Sequence, residues 1–178
     1  APVLRVVDEQ PRSRWNDLFA ELEGVVLPGD GGNPEALPVA KSPHHLLPAR
    51  SAIVATETEL RDMFLIEPER GCSRQCTYCV MRRSTNGGMR RLAADHVLSL
   101  VPDGVNRVGL VGAAVTDHIE LPQILEALIE RDVGVGISSL RADRLKPRLL
   151  ELLKAAGYKS LTIGLDGASP RLRRLVQR

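Results

Sequence analysis

Short apolar runs alternate with amphipathic segments from about residue 63 onward, and few folds accommodate such an alternation. The later runs begin about 28 residues apart, which is typical of a strand followed by a helix. Apolar runs without polar alternation fit strands that are buried on both faces. The pattern therefore predicts an α/β fold with parallel strands and outer helices. The predicted strands are 63–66, 105–111, 133–137 and 161–165, and the predicted helices are 92–101, 120–131, 143–156 and one that opens at 169–170.

The first part of the chain, residues 1–62, has a different composition. It contains seven of the twelve prolines, and proline restricts the backbone and removes a hydrogen-bond donor. A helix is expected only at 13–22, where apolar residues recur at helical spacing. We therefore predict a Pro-rich, extended linker or accessory segment at 1–62 and an α/β core at 63–178. The core stops just after its last helix opens, which suggests that the chain is part of a longer protein.

Composition and charge exclude several classes of protein. The chain has 178 residues, of which 43% are apolar and 26% charged, as in an ordinary globular protein. It contains no apolar run close to the roughly 20 residues that span a bilayer, so no membrane association is predicted. The net charge is +2 and aromatic residues make up 3% of the chain. A platform that stacks single-stranded nucleic acid needs more aromatic rings than this.

Three cysteines carry the clearest chemical signal. Cys72, Cys76 and Cys79 have the spacing C-x3-C-x2-C, which is too compact for a disulfide framework. Three thiolates on one loop can bind a soft metal centre. A structural zinc site takes four protein ligands, whereas a cubane iron–sulfur cluster held by three cysteines keeps one iron open. The spacing favours an iron–sulfur cluster, with zinc as the alternative, and a reducing, cytoplasmic location.

Residues 70–79, RGCSRQCTYC, resemble the signature of the radical S-adenosylmethionine (SAM) superfamily, including the aromatic Tyr78 before the third cysteine. The resemblance covers about 63–178 and implies a partial (βα) TIM-like barrel of about four βα units. It also implies a [4Fe-4S] cluster on the three cysteines, with SAM bound at the open iron. In such enzymes one electron cleaves SAM and releases a 5′-deoxyadenosyl radical, which abstracts hydrogen from a substrate. The substrate is not identified by the sequence.

The resemblance also indicates which residues contact SAM, because functional loops follow the carboxyl ends of the strands in βα barrels. Tyr78 is expected to flank the adenine, and Ser138 and Arg141 to hold the ribose hydroxyls and the carboxylate. Asp166 follows the last predicted strand. Each of these loops also has a purely structural interpretation, as a lead into the next helix. The full set of expected SAM contacts is Tyr78, Gly112, Ala113, Ser138, Arg141 and Asp166.

Two branches of the superfamily are similar to parts of the chain. Residues 45–51 resemble the linker that precedes the radical domain in cobalamin-binding members, but residues 1–62 are too few for a cobalamin domain. Methylthiotransferases have a similar core, yet their three additional cysteines are absent here. The resemblance thus includes methyl transfer and methylthio transfer among the reactions expected of this chain. It also implies a flavodoxin or a ferredoxin as the reductant.

Two other functions remain open at this point. The first is a non-catalytic iron–sulfur protein that transfers electrons, although such clusters usually have four cysteine ligands. The second is a zinc-containing module that binds nucleic acid. Residues 70–91 carry six arginines and no acidic residue, so an RNA partner or another anion site is one interpretation of that segment. A solvated loop is the other.

Overall fold

A computed structural model describes residues 2–27, 41–81 and 88–177 and divides the chain into two compact units, Ala1–Ser42 and Pro43–Arg178. The first unit contains helix α1, a 3-10 turn at Arg12–Arg14 and helix α2. Helix α2, Trp15–Ala20, lies within the predicted helix at 13–22. Helix α1, Pro2–Glu9, lies where an extended linker was predicted, so that prediction was wrong. Its apolar residues lie on one side of the helix and its charged residues on the other. The prolines do not prevent it, because Pro2 is its first residue and Pro11 lies beyond its end.

The second unit is built on a parallel sheet. Strand β1, Phe64–Ile66, pairs with β4, Arg107–Leu110, which in turn pairs with β5, Gly134–Ile137. The resulting order is β1-β4-β5, with helices in the connections. This arrangement confirms the predicted α/β class with parallel strands. Two further strands, β2 (Glu69–Gly71) and β3 (Met89–Arg91), form a separate antiparallel pair within the first connection.

The outer helices follow the apolar periodicity of the sequence. Helix α4, Leu121–Glu130, buries its residues at positions i, i+3, i+4 and i+7 of one face. Helix α5, Pro147–Ala155, begins with proline in its first turn. Gly157 follows it with a positive φ of 94°, as a glycine after a helix end commonly does. The remaining helices are α3 (Ala94–Ser99) and α6 (Pro170–Leu175), with 3-10 turns at His44–Leu46, Val115–Asp117 and Ala142–Arg144.

The strand predicted at 161–165 does not form, and this is a correction to the sequence analysis. The free edge of β5 is instead closed by the chain that follows α5. Val135 donates its N–H to the Ala156 carbonyl oxygen at 3.4 Å, and Ile137 donates its N–H to the Tyr158 hydroxyl oxygen. Because these acceptors satisfy the edge, the apolar run at 161–165 has no strand partner among the residues that the structure describes, and Leu165 remains 59% exposed.

Residues 49–51 cover the free edge of β1. By composition, these residues were assigned to the N-terminal segment 1–62. Ser51 donates its N–H to the Leu65 carbonyl oxygen at 2.8 Å, and Glu67 donates its N–H to the Ala49 carbonyl oxygen at 3.0 Å. An antiparallel bridge between Arg50 and Ile66 lies between these bonds. Residues 43–62 therefore belong with the α/β unit, because their backbone satisfies the edge strand.

Within the described part of the chain, no helix combines the length and apolar character needed to cross a membrane.

Candidate functional site

The three cysteines lie on the loop that follows β2, and the sulfurs belong to no disulfide. Cys76 is buried, whereas Cys72 and Cys79 are half-buried. Cys79 donates its N–H to the Cys76 carbonyl oxygen at 3.2 Å, which closes a turn. Arg74 donates its backbone N–H to the Cys72 sulfur at 3.4 Å. Backbone hydrogen bonds thus shape the loop around its thiols.

Three soft thiol donors within eight residues fit the chemistry of an iron–sulfur cluster. Among the described residues, however, no three His, Cys, Asp or Glu side chains stand together as a group that could hold a metal, and this includes the cysteines. The three thiols are therefore of the right chemical type for a cluster, but in this structure they do not form a metal-binding group. Metal binding commonly supplies the free energy that gathers such ligands.

A buried glutamate connects the strand before the cysteine loop to the loop after β4. Glu69 is 0% exposed, and its Oε1 accepts the Ala114 N–H at 2.9 Å. Its Oε2 is buried and has no hydrogen-bond partner within the described part of the chain. Burial raises the pKa of Glu69 above its ordinary value, and the nearby Glu67 and Asp117 add to this effect.

The carboxylate of Glu69 leaves no room for a side chain at position 112, which is why this position is a glycine. A Cβ on Gly112 would lie 2.2 Å from Oε1 of Glu69, far inside van der Waals contact. Gly112 also donates its N–H to the Ser138 hydroxyl oxygen, which in turn donates to the Gly112 carbonyl oxygen, both at 3.0 Å. The carboxyl ends of β4 and β5 are joined by this pair of bonds.

A network of ion pairs centred on Asp117 lies beside the cysteine loop. The Asp117 side chain is 1% exposed and contacts the guanidinium groups of Arg141 and Arg144. It also accepts the Ser73 hydroxyl hydrogen at 3.2 Å, so the network reaches the cysteine loop directly. Arg141 binds Asp143 with its other edge, at 3.1 and 2.5 Å.

Burial alone would raise the pKa of Asp143, but the hydrogen bonds and charge of Arg141 outweigh it and lower that pKa below its ordinary value. Both edges of the Arg141 guanidinium are therefore engaged. In this arrangement Arg141 holds two aspartates, and the fork expected to bind the SAM carboxylate is occupied by protein carboxylates.

A cavity of about 380 Å³ opens beside this network. Arg74 of the cysteine loop, Arg141 and Asp143 of the loop after β5, and Leu165 and Arg173 of the last segment line it. A second cavity, of about 330 Å³, lies between residues 49–51 and the carboxyl ends of β1 and β4, and Gly112 borders it. Both cavities lie at the carboxyl ends of the parallel strands, where βα folds place their ligands.

His118 has a structural role in this region. The ring is buried, and burial lowers the pKa of His118 below its ordinary value. Its Nδ1 accepts the Glu120 N–H at 3.1 Å, so Nε2 carries the proton that is donated to the Leu92 carbonyl oxygen at 2.9 Å. Both ring nitrogens are thereby satisfied.

Comparison with known proteins identifies the family. The family model described as the radical SAM superfamily matches residues 66–178, which is more than half of the chain. The chain belongs to the radical SAM superfamily. The matched region contains β4 and β5 of the parallel sheet, the cysteine loop and the cavity of about 380 Å³ beside that loop. This confirms the family resemblance of residues 70–79.

One similar protein is the uncharacterized protein MJ0966 of Methanocaldococcus jannaschii, which is 33% identical over 120 residues. The alignment covers 65% of this chain and 26% of the relative. The aligned part of the chain thus spans about a quarter of the length of this relative. Neither comparison distinguishes the cobalamin-binding or methylthiotransferase branches.

The residues expected to contact SAM are only partly brought together in this radical SAM domain. Gly112 and Ser138 are hydrogen-bonded, and Ala113 is exposed next to them. Tyr78 is 54% exposed on the cysteine loop. Asp166 is exposed on a separate turn with a positive φ of 54°.

Sequence reasoning did not identify Glu69 or Asp117 as parts of the site. Glu69 lies in a short strand without an apolar pattern, and Asp117 lies in a 3-10 turn. The only sequence signal for either was Gly112 at a strand end, because glycine there permits a close approach of another group.

Proposed function

We propose that this chain forms the cluster-binding and SAM-binding core of a radical SAM enzyme. The observation that carries the proposal is the three-cysteine loop within the matched domain, beside the carboxyl ends of β1 and β4. Cys72, Cys76 and Cys79 would hold a [4Fe-4S] cluster, and SAM would bind at the iron without a cysteine ligand. When bound, the reduced cluster supplies one electron that cleaves SAM into methionine and a 5′-deoxyadenosyl radical.

The protein's contribution is to hold the loops that surround these groups. Glu69 fixes the loop after β4 through the Ala114 N–H, and Ser138 fixes its beginning through Gly112. Ser73 connects the cysteine loop to Asp117. We propose that the backbone at the half-buried Gly112 and the exposed Ala113 contacts SAM, because the small size of these two residues leaves the main chain accessible to a ligand.

Two further contacts complete the proposed SAM site. Tyr78 lies one residue before Cys79, and we expect its exposed ring to stack on the adenine. Asp166 is exposed at the end of the segment that follows α5. Arg141 is left out of the proposed contacts, because its guanidinium already binds Asp117 and Asp143.

The test is anaerobic reconstitution with iron and sulfide, followed by measurement of iron, sulfide and 5′-deoxyadenosine. Cys76→Ala is expected to prevent cluster assembly, since two thiolates do not hold a cubane. Thr77→Ala is the matched control, because the Thr77 side chain is exposed and adjacent. Full iron content in Cys76→Ala would refute the ligand assignment. A cluster that forms in the native chain but ignores SAM would indicate a non-catalytic iron–sulfur protein.

A further inference from the structure

The cavity beside the cysteine loop carries more positive charge than its ion pairs neutralise. Arginines from three separate parts of the chain line it, namely Arg74, Arg141 and Arg173. The charge of Arg141, together with that of its neighbour Arg144, is balanced by Asp117 and Asp143. Arg74 and Arg173 thus leave an excess of positive charge at this cavity, which the carboxylate of Asp166, next to the lining residue Leu165, offsets only in part.

Neither of these two arginines has an anionic partner within ion-pair distance among residues 2–27, 41–81 and 88–177. Arg173 donates from Nη1 to the Gly167 carbonyl oxygen at 2.7 Å, which orients the group without neutralising it. The Nε of Arg74 is shielded from solvent and has no acceptor among the residues that the structure describes. A shielded donor without an acceptor is costly, so an added oxyanion would be stabilised at this position.

The cavity borders the proposed SAM site at one residue, because Gly164 and Leu165 line it and Asp166 follows them. The other proposed SAM contacts, Gly112, Ala113 and Tyr78, are not among its described lining residues, and its volume of about 380 Å³ suits part of a small molecule. It lies on the carboxyl side of the sheet together with the cysteine loop, which contributes Arg74. A second molecule bound there would lie beside the proposed reaction centre.

We propose that Arg74 and Arg173 bind an oxyanion of the substrate, a carboxylate or a phosphate. This inference rests on the proposed function and assigns an anionic substrate class to the same site. Guanidinium groups bind either oxyanion through paired N–H donors. The carboxylate of SAM has the same chemistry, and the experiment separates these two sources.

The experiment is calorimetric titration of the full reconstituted chain with inorganic phosphate and, in parallel, with acetate. Arg74→Gln and Arg173→Gln are each expected to weaken binding of the effective anion about tenfold, which corresponds to roughly 1.4 kcal/mol. Arg174→Gln is the matched control, because Arg174 is the exposed neighbour on the same helix and does not line the cavity. It is expected to bind the anion as the native chain does. Circular dichroism establishes that each variant is folded.

The source of the oxyanion is decided by repeating the titration with S-adenosylhomocysteine present. Undiminished anion binding, lost in the two cavity variants, would support a substrate site. Competition between the two ligands would assign the arginines to the cofactor carboxylate and overturn the proposal. Absence of binding by both anions, or equal binding by all variants, would also overturn it. Failure of the proposed function would be seen in a different measurement, because the native chain would then contain no iron after reconstitution.

Discussion

Gly112→Ala should be among the most damaging single-methyl additions in this protein. The added Cβ would lie 2.2 Å from Oε1 and 3.0 Å from Cδ of Glu69, whose side chain is buried. The carboxylate would have to move, and Oε1 would then release the Ala114 N–H that it now accepts at 2.9 Å. The substitution thus combines an overpacked site with a broken hydrogen bond.

The magnitude follows from these two effects. Overpacking a closely packed site costs about 1–3 kcal/mol. Leaving a buried N–H without its acceptor costs about 1–3 kcal/mol more. The expected loss is therefore about 2–6 kcal/mol of unfolding free energy, a large part of the roughly 5–15 kcal/mol that stabilises a typical domain.

Urea denaturation followed by circular dichroism measures this loss. Gly88→Ala is the matched control, because a Cβ there meets no atom of the described residues within 4 Å. Removing the carboxylate with Glu69→Ala should relieve much of the cost of Gly112→Ala, although Val115 Cγ2 at 3.2 Å from the new Cβ leaves some strain. A loss no larger than that of the control, or an equal loss with and without the carboxylate, would refute the reasoning.

Two further predictions concern buried charges near the cysteine loop. Burial raises the pKa of Glu69 above 4.5, so the stability that its proton provides is present below that pH and is lost as pH rises through the folded pKa. In urea titrations Glu69→Gln should therefore gain stability relative to the native chain as pH rises above 4.5. Arg141→Ala leaves the buried Asp117 with Arg144 as its remaining arginine partner, and should cost about 3–5 kcal/mol of unfolding free energy in the same assay.

Each of these predictions has an internal comparison. For Glu69→Gln, a stability difference that stays constant across the pH series would show that Glu69 does not titrate with folding. For Arg141→Ala, the comparison is Arg148→Ala, because the pair of Arg148 and Glu126 is largely exposed. Such surface pairs contribute about 0–1 kcal/mol. Equal costs for the two arginine variants would contradict the buried network.

The sequence predicted those parts of the fold that rest on strong local patterns. Helix α4 has four regularly spaced apolar residues on one face, and it buries all of them. The parallel strands β4 and β5 were predicted because their apolar runs recur at the length of a βα unit. The spacing of the cysteines and the residues between them likewise indicated the family, and the family model confirms it.

The rest depended on contacts between residues distant in sequence. The apolar run at 161–165 looks like a strand, but the Tyr158 hydroxyl and the Ala156 carbonyl take the edge positions that a strand would need. Strand β2 has no apolar pattern that would reveal it. It forms through backbone pairing with β3 and not through burial of both faces. No local pattern predicts either contact.

The candidate site was predicted unevenly for the same reason. Gly112 and Ser138 were expected to contact one ligand, and the structure joins them through two hydrogen bonds. Arg141 was expected, with Ser138, to hold the ribose hydroxyls and the carboxylate of SAM, whereas in the structure its guanidinium binds Asp117 and Asp143. A residue type predicts the chemistry of its partner, but not whether that partner is a ligand or the protein itself.

The most direct test of the central claim is electron paramagnetic resonance of the reconstituted, reduced chain with and without SAM. The account predicts a [4Fe-4S] signal that depends on Cys72, Cys76 and Cys79 and that changes when SAM is added. A signal that is unchanged by SAM, or a chain that retains zinc and assembles no cluster, would contradict it.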